Sequence, residues 1–426
     1  MGKKIYFNCA PNGIGHGSNF GMQTVDFAIY NILKSLKKNN DIILTTLWNA
    51  YSNDSEMLRL KERDNFPTEF SYNLSQFDEL SPGDAVFYWG DFQWGADYQV
   101  QSAYRLKKNI FREPYSNDDF KFKRIIENRF LLRNFFEKKS EEIEIFSYGT
   151  TLFQNRLYDF LNAEYMDNLK WLIKKSNFIK FRDPYSANFC AEVRNDFQCS
   201  YLGVDAALLS VKGELLSMPL GDAEFVNSFK EQIGYYFGRS SKAFPKYRVT
   251  KFVKEMQATL NKKLVRIPWT YFSKGLFTDS MDKYFNFFQI SRVSYKDSHF
   301  VSGDILKGMA NCSIIITDTY HVAINAIALG VAVLMIPEFR SASKRDANMG
   351  YIESWRDKRV MLYQTNSLGD LLILPDLLIS SYYRRSKIQI IESILENENA
   401  VEILFEPILR KAKYDRDSIQ NLLCSF

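Results

Sequence analysis

Short runs of β-forming residues alternate with stretches of helical periodicity through the first half of the chain. Apolar residues recur at helical spacing between Met22 and Leu36 and again over residues 157–176, which predicts two helices. The β-type runs predict strands at residues 4–9, 41–47, 84–89, 144–148 and 178–182. Because strands that alternate with helices form parallel sheets covered by those helices, this half predicts one such sheet.

A second series of the same kind begins near residue 232. Its strands are predicted at residues 233–237, 264–267, 313–317 and 331–336, and its helices at residues 249–261 and 304–311. Between the two series, Gly213, Pro219 and Gly221 are expected to break any regular element over residues 209–229. The predicted fold class is therefore α/β, with two Rossmann-like domains whose parallel sheets face a cleft.

The length of the chain agrees with this division. A chain of 426 residues is too long for one ordinary core, so we expect two domains of about 200 residues each. The expected units are an N-terminal domain at 1–208, a linker at 209–230, a C-terminal domain at 231–380 and C-terminal helices at 381–426. The last helices are expected to pack back on the N-terminal domain.

Composition and charge narrow the class of protein. The chain is 46% hydrophobic and 25% charged, as is usual for a soluble globular protein, and its net charge is +5. This charge suits an anionic small substrate or a weak attraction to anionic lipid, but it is too diffuse to indicate nucleic-acid binding. The N-terminus lacks the apolar run of a signal peptide, and polar residues interrupt the most apolar region, 313–337. We expect a cytoplasmic protein without a membrane span, and a position at the inner face of the membrane stays open.

The five cysteines are odd in number, widely spaced and without a Cys-x-x-Cys pair. We interpret them as reduced, buried thiols rather than as a disulfide framework or a zinc site. Since no cluster of His, Cys and Asp has the spacing of metal ligands, neither a metal nor a cofactor is expected.

The segment at residues 312–330 carries the most informative polar residues. Its buried strand runs directly into an apolar helical stretch, so residues 317–321 lie at the C-terminal end of a strand, where open α/β sheets bind ligands. The chain has only three histidines, His16, His299 and His321, and His321 falls at this edge. Two interpretations stay open, namely proton transfer by His321 and a structural role in capping the helix or bonding within the core.

Three loops of the first domain also follow strands. The loop at residues 11–21 contains Gly15, Gly17 and Asn19, which suit a close approach to a ligand. It has neither the spacing of a dinucleotide fingerprint nor the ending of a P-loop, so NAD and ATP are not indicated, and a plain turn is the alternative.

The second loop, at residues 89–95, contains Asp91 and Trp94, and its aromatic residues either stack on a sugar or pack at a domain interface. The third loop places Arg182 and Asp183 after a strand, facing the predicted cleft. Arginine binds a carboxylate or a phosphate in a bidentate manner, and the alternative is an ion pair with Asp183 or another surface acid.

Several of these segments resemble one known family. The matching segments, in chain order, are Gly17-Ser18-Asn19-Phe20-Gly21, Tyr148-Gly149-Thr150, Arg182-Asp183-x-x-Ser186, Gly203-Val204-Asp205-Ala206 and Thr317-Asp318-Thr319-Tyr320-His321. Their order and spacing, over about residues 12 to 340, are similar to those of the polysaccharide pyruvyl transferase family. The resemblance implies a GT-B-like pair of Rossmann domains and transfer of a pyruvyl group from phosphoenolpyruvate onto a sugar of a cell-surface polysaccharide or of its lipid-linked precursor.

That reaction needs a general acid and an anion clamp. His321 is the candidate acid, with a carboxylate such as Asp318 favouring its charged form, and Arg182 is the candidate clamp. Asp183 either orients Arg182 or accepts a proton from the incoming hydroxyl. The expected donor-binding residues, on the C-terminal domain, are Arg239, Asp318, Thr319, Arg340 and Lys344, and the expected acceptor-binding residues, on the N-terminal domain, are Gly15, Gly17, Asn19, Asp91 and Trp94. A solvated surface position is the alternative for Arg239, Arg340 and Lys344.

Two other functions stay open at this point. One is a GT-B glycosyltransferase that places Arg239 and residues 317–321 on the diphosphate of a nucleotide sugar, since it shares the fold and an anionic donor. The other is a non-catalytic binding protein. The basic and aromatic segment at residues 104–139 suggests either a weak peripheral membrane contact or an ordinary solvated helix with an aromatic inner face.

Overall fold

The computed structural model describes thirteen segments of the chain and the single residue Trp94. The segments are residues 4–9, 20–36, 42–45, 81–90, 143–152, 163–198, 200–218, 220–238, 245–269, 281–293, 302–337, 358–397 and 399–425.

The first sheet has five parallel strands and confirms the five strands predicted for the first half of the chain. They are β1 (Ile5–Cys9), β2 (Ile42–Thr45), β3 (Ala85–Trp89), β4 (Glu144–Thr150) and β5 (Phe178–Phe181), and their order in the sheet is β2-β1-β3-β4-β5. The helices of this half are α1 (Phe20–Leu36), α2 (Ala163–Lys175) and α3 (Pro184–Arg194). Strands β3 and β4 in the middle of the sheet are almost wholly buried, as expected where helices cover a sheet whose residues are apolar on both faces.

The second sheet also has five parallel strands. They are β6 (Ile233–Tyr236), β7 (Leu264–Arg266), β8 (Arg292–Val293), β9 (Ile314–Thr317) and β10 (Val333–Met335), in the order β10-β9-β6-β7-β8. Four of these strands confirm the sequence prediction. The sequence did not predict β8, since it is a two-residue edge strand with no apolar run of its own.

The predicted linker is more regular than expected. It contains α4 (Lys212–Leu216) and α5 (Ala223–Asn227), which follow a 3₁₀ turn at Ala206–Leu209. The prediction that glycine and proline break any regular element here is therefore wrong. The side chain of Asp222 caps α5 by accepting a hydrogen bond of 2.9 Å from the Phe225 amide. The exact domain limits stay predictions.

Seven further helices complete the described fold. They are α6 (Lys246–Leu260), α7 (Asp282–Phe287), α8 (Ser302–Asn311), α9 (Tyr320–Leu329), α10 (Lys358–Thr365), α11 (Ser381–Glu396) and α12 (Ala400–Ser425). Every residue of α9 is buried, so this helix lies inside the molecule with its N-terminus at the end of β9. The structure thereby places residues 317–321 at the strand edge where the sequence predicted them.

Helix α12 returns the chain to the first sheet. The guanidinium of Arg416 donates to both carboxylate oxygens of Glu214, at 2.7 and 2.6 Å, and to the Leu209 carbonyl at 2.8 Å. One residue earlier, the Asp415 carboxylate accepts a hydrogen bond of 2.9 Å from the Tyr148 hydroxyl of β4. These buried contacts fix α12 against residues that are more than 200 positions earlier in the chain.

Two of the cysteines agree with the predicted buried thiols, and one does not. Cys190 and Cys312 are buried, and burial raises the pKa of the Cys190 thiol to about 12. Cys424 is exposed near the end of α12 and corrects the expectation that all five are buried. Among the helices of the described segments, none is both long enough and apolar enough to cross a membrane.

Candidate active site

The turn that follows β5 carries Arg182 into a buried ion pair. The Arg182 guanidinium donates to the carboxylate of Asp205 at 2.8 Å, and the two side chains are 4% and 0% exposed. Asp205 also caps the 3₁₀ turn that follows it by accepting from the Ala207 amide at 3.1 Å. The surface ion pair considered for Arg182 is therefore wrong, because its partner is Asp205 and both groups are withdrawn from water.

Asp183 holds the same turn from the other side. Its carboxylate accepts hydrogen bonds from the Thr151 hydroxyl at 2.5 Å, the Ser186 amide at 2.9 Å and the Ser186 hydroxyl at 2.8 Å. It is the N-cap of α3, and Pro184 occupies the first helical position. The predicted roles of Asp183, which were to orient Arg182 or to accept a proton from the incoming hydroxyl, stay predictions, and the structure adds that Asp183 shapes this turn.

The second sheet brings Tyr320 against the Arg182 guanidinium. Helix α9 begins at Tyr320, directly after β9, and its ring lies 5.4 Å from the guanidinium carbon of Arg182. The ammonium of Lys358, at the start of α10, lies 4.6 Å from the centroid of the same ring. Two cations thus contact one buried aromatic ring through cation–π interactions. The ends of β5 and β9 therefore meet, as the two-domain prediction requires.

His321 follows Tyr320 and is 7% exposed. Helix α1 of the first half lies directly against it, because a Cβ atom on Gly21 would come within 2.4 Å of the Cβ and Cγ atoms of His321. One turn further along α9, the Asn325 amide donates to the Thr24 hydroxyl of α1 at 3.0 Å and to the His321 carbonyl at 2.8 Å. The His321 ring is therefore held where α1 and α9 meet, and it does not cap α9, since Thr319 is the N-cap.

Asp318 and Thr319 lie in the turn between β9 and α9. The Thr319 hydroxyl donates to the Asp318 carboxylate at 2.9 Å, and the Thr319 amide donates to the Thr317 hydroxyl at 3.0 Å. The Gly238 amide, after β6, donates to the Thr319 hydroxyl at 3.4 Å. Asp318 is 1% exposed, so it stabilises this turn from within.

Electrostatics connect the two halves of the site through Asp205. Burial by itself raises the pKa of this carboxyl group, but the charges of Arg182 and His321 and the hydrogen bonds from Ala207 and Arg182 outweigh burial and lower the pKa below its ordinary value. Burial also raises the pKa of the Tyr320 hydroxyl well above its ordinary value, and Asp205 raises it further as a nearby charge and hydrogen-bond partner. Asp205 is thus ionised and Tyr320 neutral near neutral pH.

A cavity of about 30 Å³ lies beside this pair. It is lined from the first half by residues that include Thr151, Arg182 and Asp205, and from the second half by Tyr320 and Lys358. Helix α12 adds Ile408 and Lys411, which lie outside all the predicted site segments. A cavity of this size holds about two water molecules.

The remaining predicted site residues divide into two groups. Most lie outside the described residues, namely Gly15, Gly17, Asn19, Asp91, Arg239, Arg340, Lys344 and the segment at 104–139. Trp94 is described and corrects its predicted role in stacking on a sugar. It is 0% exposed, and its indole packs edge-to-face at 5.7 Å from Tyr88 and 5.5 Å from Phe181. Trp94 therefore packs within the core of the first half, and not at a domain interface, which was the alternative.

Sequence reasoning missed four residues of the site as functional groups. Asp205 stood in a segment quoted for the family resemblance but received no role, and Tyr320 stood beside His321 in the same position. Lys358 and Lys411 had no local signal, because each reaches the cavity through long-range packing of a C-terminal helix. Within the described segments, no group of three or more His, Cys, Asp or Glu side chains could hold a metal ion.

Comparison with solved structures defines the class of fold. The structure of a putative UDP-N-acetylglucosamine 2-epimerase from Listeria monocytogenes is similar at a TM-score of 0.52 and 10% identity, over 100% of this chain and 98% of that chain. A UDP-GlcNAc 2-epimerase from Methanocaldococcus jannaschii has a TM-score of 0.48 at 14% identity, over 96% and 99% of the two chains. At such identities the similarity shows the fold alone, and that fold is GT-B, with two parallel sheets.

The family model of polysaccharide pyruvyl transferase matches residues 26–338, which is well over half of the chain. The chain therefore belongs to the polysaccharide pyruvyl transferase family and is a transferase. No curated protein matches the chain in sequence. The matched region includes Arg182, Asp205 and His321, and it ends before Lys358 and α12.

Proposed function

We propose that this protein transfers the pyruvyl group of phosphoenolpyruvate onto a sugar of a bacterial surface polysaccharide, or of its lipid-linked precursor, to form a pyruvate ketal. One observation carries the proposal. Arg182 from the first half and His321 from the second half both act on a single buried carboxylate, Asp205. This chemistry needs a cation that binds anions and a side chain that can donate a proton. The guanidinium of Arg182 and the imidazole of His321 are such groups, and they lie where the edges of the two sheets meet.

The reaction sets clear demands. A proton is transferred to the methylene carbon of phosphoenolpyruvate, which leaves a cationic carbon at C2. One sugar hydroxyl adds to C2 and loses its proton, phosphate leaves with the electrons of its C–O bond, and a second hydroxyl closes the ketal and loses its proton. The enzyme therefore has to supply a general acid and groups that hold the carboxylate and the phosphate.

His321 is the proposed general acid. It is buried at the junction of α1 and α9, and its charge is one of those that lower the pKa of Asp205, so the two side chains attract each other. The sequence had assigned this supporting role to Asp318. Asp205 is the proposed partner, because the charge of His321 is among the causes that lower the pKa of Asp205.

Arg182 is the proposed anion clamp. Its guanidinium is fixed by Asp205 and by the ring of Tyr320, so it meets a ligand with little further loss of side-chain freedom. The planar fork of N–H donors in an arginine suits a carboxylate or a phosphate. Asp183 accepts three hydrogen bonds from Thr151 and Ser186. It is therefore better suited to shaping the turn than to accepting a proton from the sugar.

Donor binding tests the proposal. Thermal unfolding of the whole protein is measured with phosphoenolpyruvate and, separately, with a panel of nucleotide sugars, since a ligand that binds the folded state raises the melting temperature. Stabilisation by phosphoenolpyruvate alone, and its loss in Arg182→Lys, agrees with the proposal. Stabilisation by a nucleotide sugar and not by phosphoenolpyruvate would instead support a GT-B glycosyltransferase, and stabilisation by neither would support a non-catalytic protein.

A further inference from the structure

The second half of the described fold has a surface where exposed apolar side chains are concentrated. More than half of the large apolar residues that are exposed in the described segments lie there, namely Tyr247 on α6, Tyr284 and Phe287 on α7, and Leu377, Ile379 and Tyr382. The last three belong to the 3₁₀ helix Pro375–Ile379 and to the first turn of α11. Single exposed apolar residues are ordinary on a protein surface, but a group of them marks an interaction surface.

Ring contacts and one ion pair join these residues into a continuous surface. The Tyr247 ring lies 5.7 Å from the ring of Phe288, which lies 5.1 Å from the ring of Phe287. At the next position of α6, the Arg248 guanidinium pairs with the carboxylate of Asp376 at 3.1 Å. Because Asp376 belongs to the 3₁₀ helix, this pair places the apolar residues of α6, α7 and the 3₁₀ helix side by side.

The same elements carry exposed cations. On α6, Lys251 and Lys254 follow Tyr247 at helical spacing, so the three exposed side chains share one side of the helix. Lys283 of α7 and Arg385 of α11 are also exposed. Within the described segments, none of these four cations makes a hydrogen bond or a salt bridge. We call the six apolar residues and these four cations the aromatic–basic face.

The acids of these elements are already engaged and do not neutralise the four cations. Glu255 of α6 accepts hydrogen bonds of 2.6 and 3.0 Å from the Arg384 guanidinium. Asp376 is held in the ion pair that joins the 3₁₀ helix to α6. Asp282 of α7 is buried and accepts a hydrogen bond from the Tyr235 hydroxyl. The aromatic–basic face therefore carries a net positive charge around its apolar side chains.

The aromatic–basic face begins at the edge of the second sheet that carries the candidate site. Helix α6 connects the parallel strands β6 and β7, so its first residue, Lys246, lies toward the carboxyl ends of these strands. Thr319 and His321 follow β9, which pairs with β6 in parallel, and lie at that same edge. A surface that contacts the beginning of α6 is therefore close to the edge where the transfer is proposed to occur.

We propose that the aromatic–basic face binds the surface of an anionic membrane. The exposed rings and aliphatic side chains enter the boundary between the head groups and the acyl chains, while the lysine and arginine side chains contact anionic head groups. The combination decides the occupant, because a soluble acidic polymer would gain nothing from Phe287 or Ile379, and a purely apolar partner would gain nothing from the four cations. The use of this binding rests on the proposed function, since a lipid-linked precursor would present its sugar at such a surface.

Co-sedimentation of the whole protein with lipid vesicles tests the proposal, without donor or acceptor present. The vesicles consist either of phosphatidylcholine alone or of an equal mixture of phosphatidylcholine and phosphatidylglycerol. Wild type should bind the mixed vesicles at low salt and should bind the neutral vesicles at least about tenfold more weakly. Added salt should weaken binding to the mixed vesicles, because it screens the attraction between exposed charges.

Phe287→Ser tests the apolar part of the face and should weaken binding to the mixed vesicles by about tenfold, because the serine side chain buries little apolar area. The matched control is Phe197→Ser, which removes a similarly exposed ring from the first half, since Phe287 is 79% and Phe197 is 71% exposed. The control should bind like wild type.

The charged part of the face is tested by the double variant Lys251→Gln with Lys254→Gln. One basic residue near an anionic membrane contributes about fivefold to binding, so the double variant should bind about 25-fold more weakly. The matched control is Lys170→Gln with Lys174→Gln, which removes two exposed charges one turn apart on α2 and should bind like wild type. None of these variants changes a candidate site residue, so phosphoenolpyruvate should stabilise all of them equally.

Three results would overturn the proposal. The first is that wild type does not sediment with the mixed vesicles at low salt. The second is that either variant of the face binds as well as wild type, which would assign the contact to another part of the chain, such as residues 104–139. The third is a wild-type dimer that Phe287→Ser dissociates in analytical ultracentrifugation, which would show that a second copy covers the face. The proposed donor is tested separately by stabilisation with phosphoenolpyruvate, so the two proposals can fail independently.

Discussion

Gly21 and His321 approach so closely that no side chain fits between them, since a Cβ atom on Gly21 would lie 2.4 Å from two carbon atoms of the histidine. The two residues belong to different halves of the chain, Gly21 to α1 and His321 to α9. The glycine is therefore needed for contact rather than for backbone conformation. Its small size lets α1 hold the imidazole in one position.

Gly21→Ala is expected to impair activity more than stability. The added methyl group must displace the imidazole or separate α1 from α9, and overpacking of this kind costs about 1–3 kcal/mol. The control is Gly213→Ala in α4, where an added Cβ meets nothing within 4 Å. That change should be neutral or stabilise by about 0.5–1 kcal/mol, because alanine favours helix over glycine. Equal activity in both variants, measured as pyruvate ketal formed per enzyme, contradicts the contact argument.

His321→Ala should lower the turnover number by about 100- to 10,000-fold, since that is the usual contribution of a positioned proton donor. Donor affinity should change little, because the proton moves in the chemical step. Single-turnover rates and equilibrium titration with phosphoenolpyruvate separate the two quantities. A rise in donor dissociation constant with an unchanged rate would show that His321 binds the donor and does not protonate it.

Arg182→Lys should change donor affinity more than it changes the rate of the chemical step. A lysine cannot reproduce the planar fork, so donor binding should weaken by at least about tenfold while the rate from the bound state falls less. The variant also tests the ion pair. Loss of the guanidinium contact with Asp205 should lower the melting temperature. Donor affinity equal to that of the wild type would exclude Arg182 as the anion clamp.

Asp205→Asn is expected to destabilise the fold at neutral pH by about 3–5 kcal/mol, because it leaves the buried Arg182 without its counter-charge. The control is Asp376→Asn, which breaks an exposed pair with Arg248 and should cost at most about 1 kcal/mol. Urea unfolding of each variant measures the difference in free energy.

The same pair predicts how stability depends on pH. The pKa of Asp205 is lower in the folded protein than its ordinary value of 3.8. Its stabilising contribution is therefore complete above 3.8 and is lost as the pH falls through the lower, folded value. The difference in unfolding free energy between wild type and Asp205→Asn should shrink on acidification over that range. A difference that stays constant would mean that the charge of Asp205 is not what stabilises the pair.

Tyr148→Phe removes a hydroxyl that donates to Asp415 at 2.9 Å and accepts from the Val204 amide at 3.2 Å. Both partners are buried, so the expected loss of unfolding free energy is about 1–3 kcal/mol. The matched control is Tyr88→Phe on the neighbouring strand β3, whose buried hydroxyl has no hydrogen-bond partner among the described residues. That change should be neutral or slightly stabilising. Equal effects would contradict the role of the Tyr148 hydroxyl in holding α12.

The parts of the fold that follow from local pattern were predictable from sequence. Nine of the ten strands in the described segments stand out because each is a short apolar run between turn signals, whereas Arg292–Val293 offers no such run. The linker was misjudged because Gly213 lies in an exposed turn of helix, where the cost of glycine is small and packing of Leu215 outweighs it.

The site residues likewise divide into those that the local sequence identifies and those that depend on long-range contacts. Arg182 and His321 were identifiable because each follows a strand, and the carboxyl edges of parallel strands are where polar groups gather. Asp205 was not identifiable as the partner of Arg182 and His321, because its sequence neighbours do not indicate which cation lies next to it in the folded chain. The predicted role of Trp94 in stacking on a sugar was wrong for a related reason. Whether an aromatic residue after a strand packs inward or points outward depends on neighbours that are distant in sequence.

The contacts of helix α12 imply an order of folding events during synthesis on the ribosome. Tyr148, Lys180 and Leu209 are synthesised long before Asp415 and Arg416, which complete their contacts. Before those residues are synthesised, the Tyr148 hydroxyl of β4 and the Lys180 ammonium of β5 lack the carboxylate of Asp415, and α12 does not yet pack against the first sheet. Because contacts between residues far apart in sequence form late in folding, we expect the contacts of Tyr148, Lys180 and Leu209 with α12 to form only after nearly the whole chain has left the ribosome.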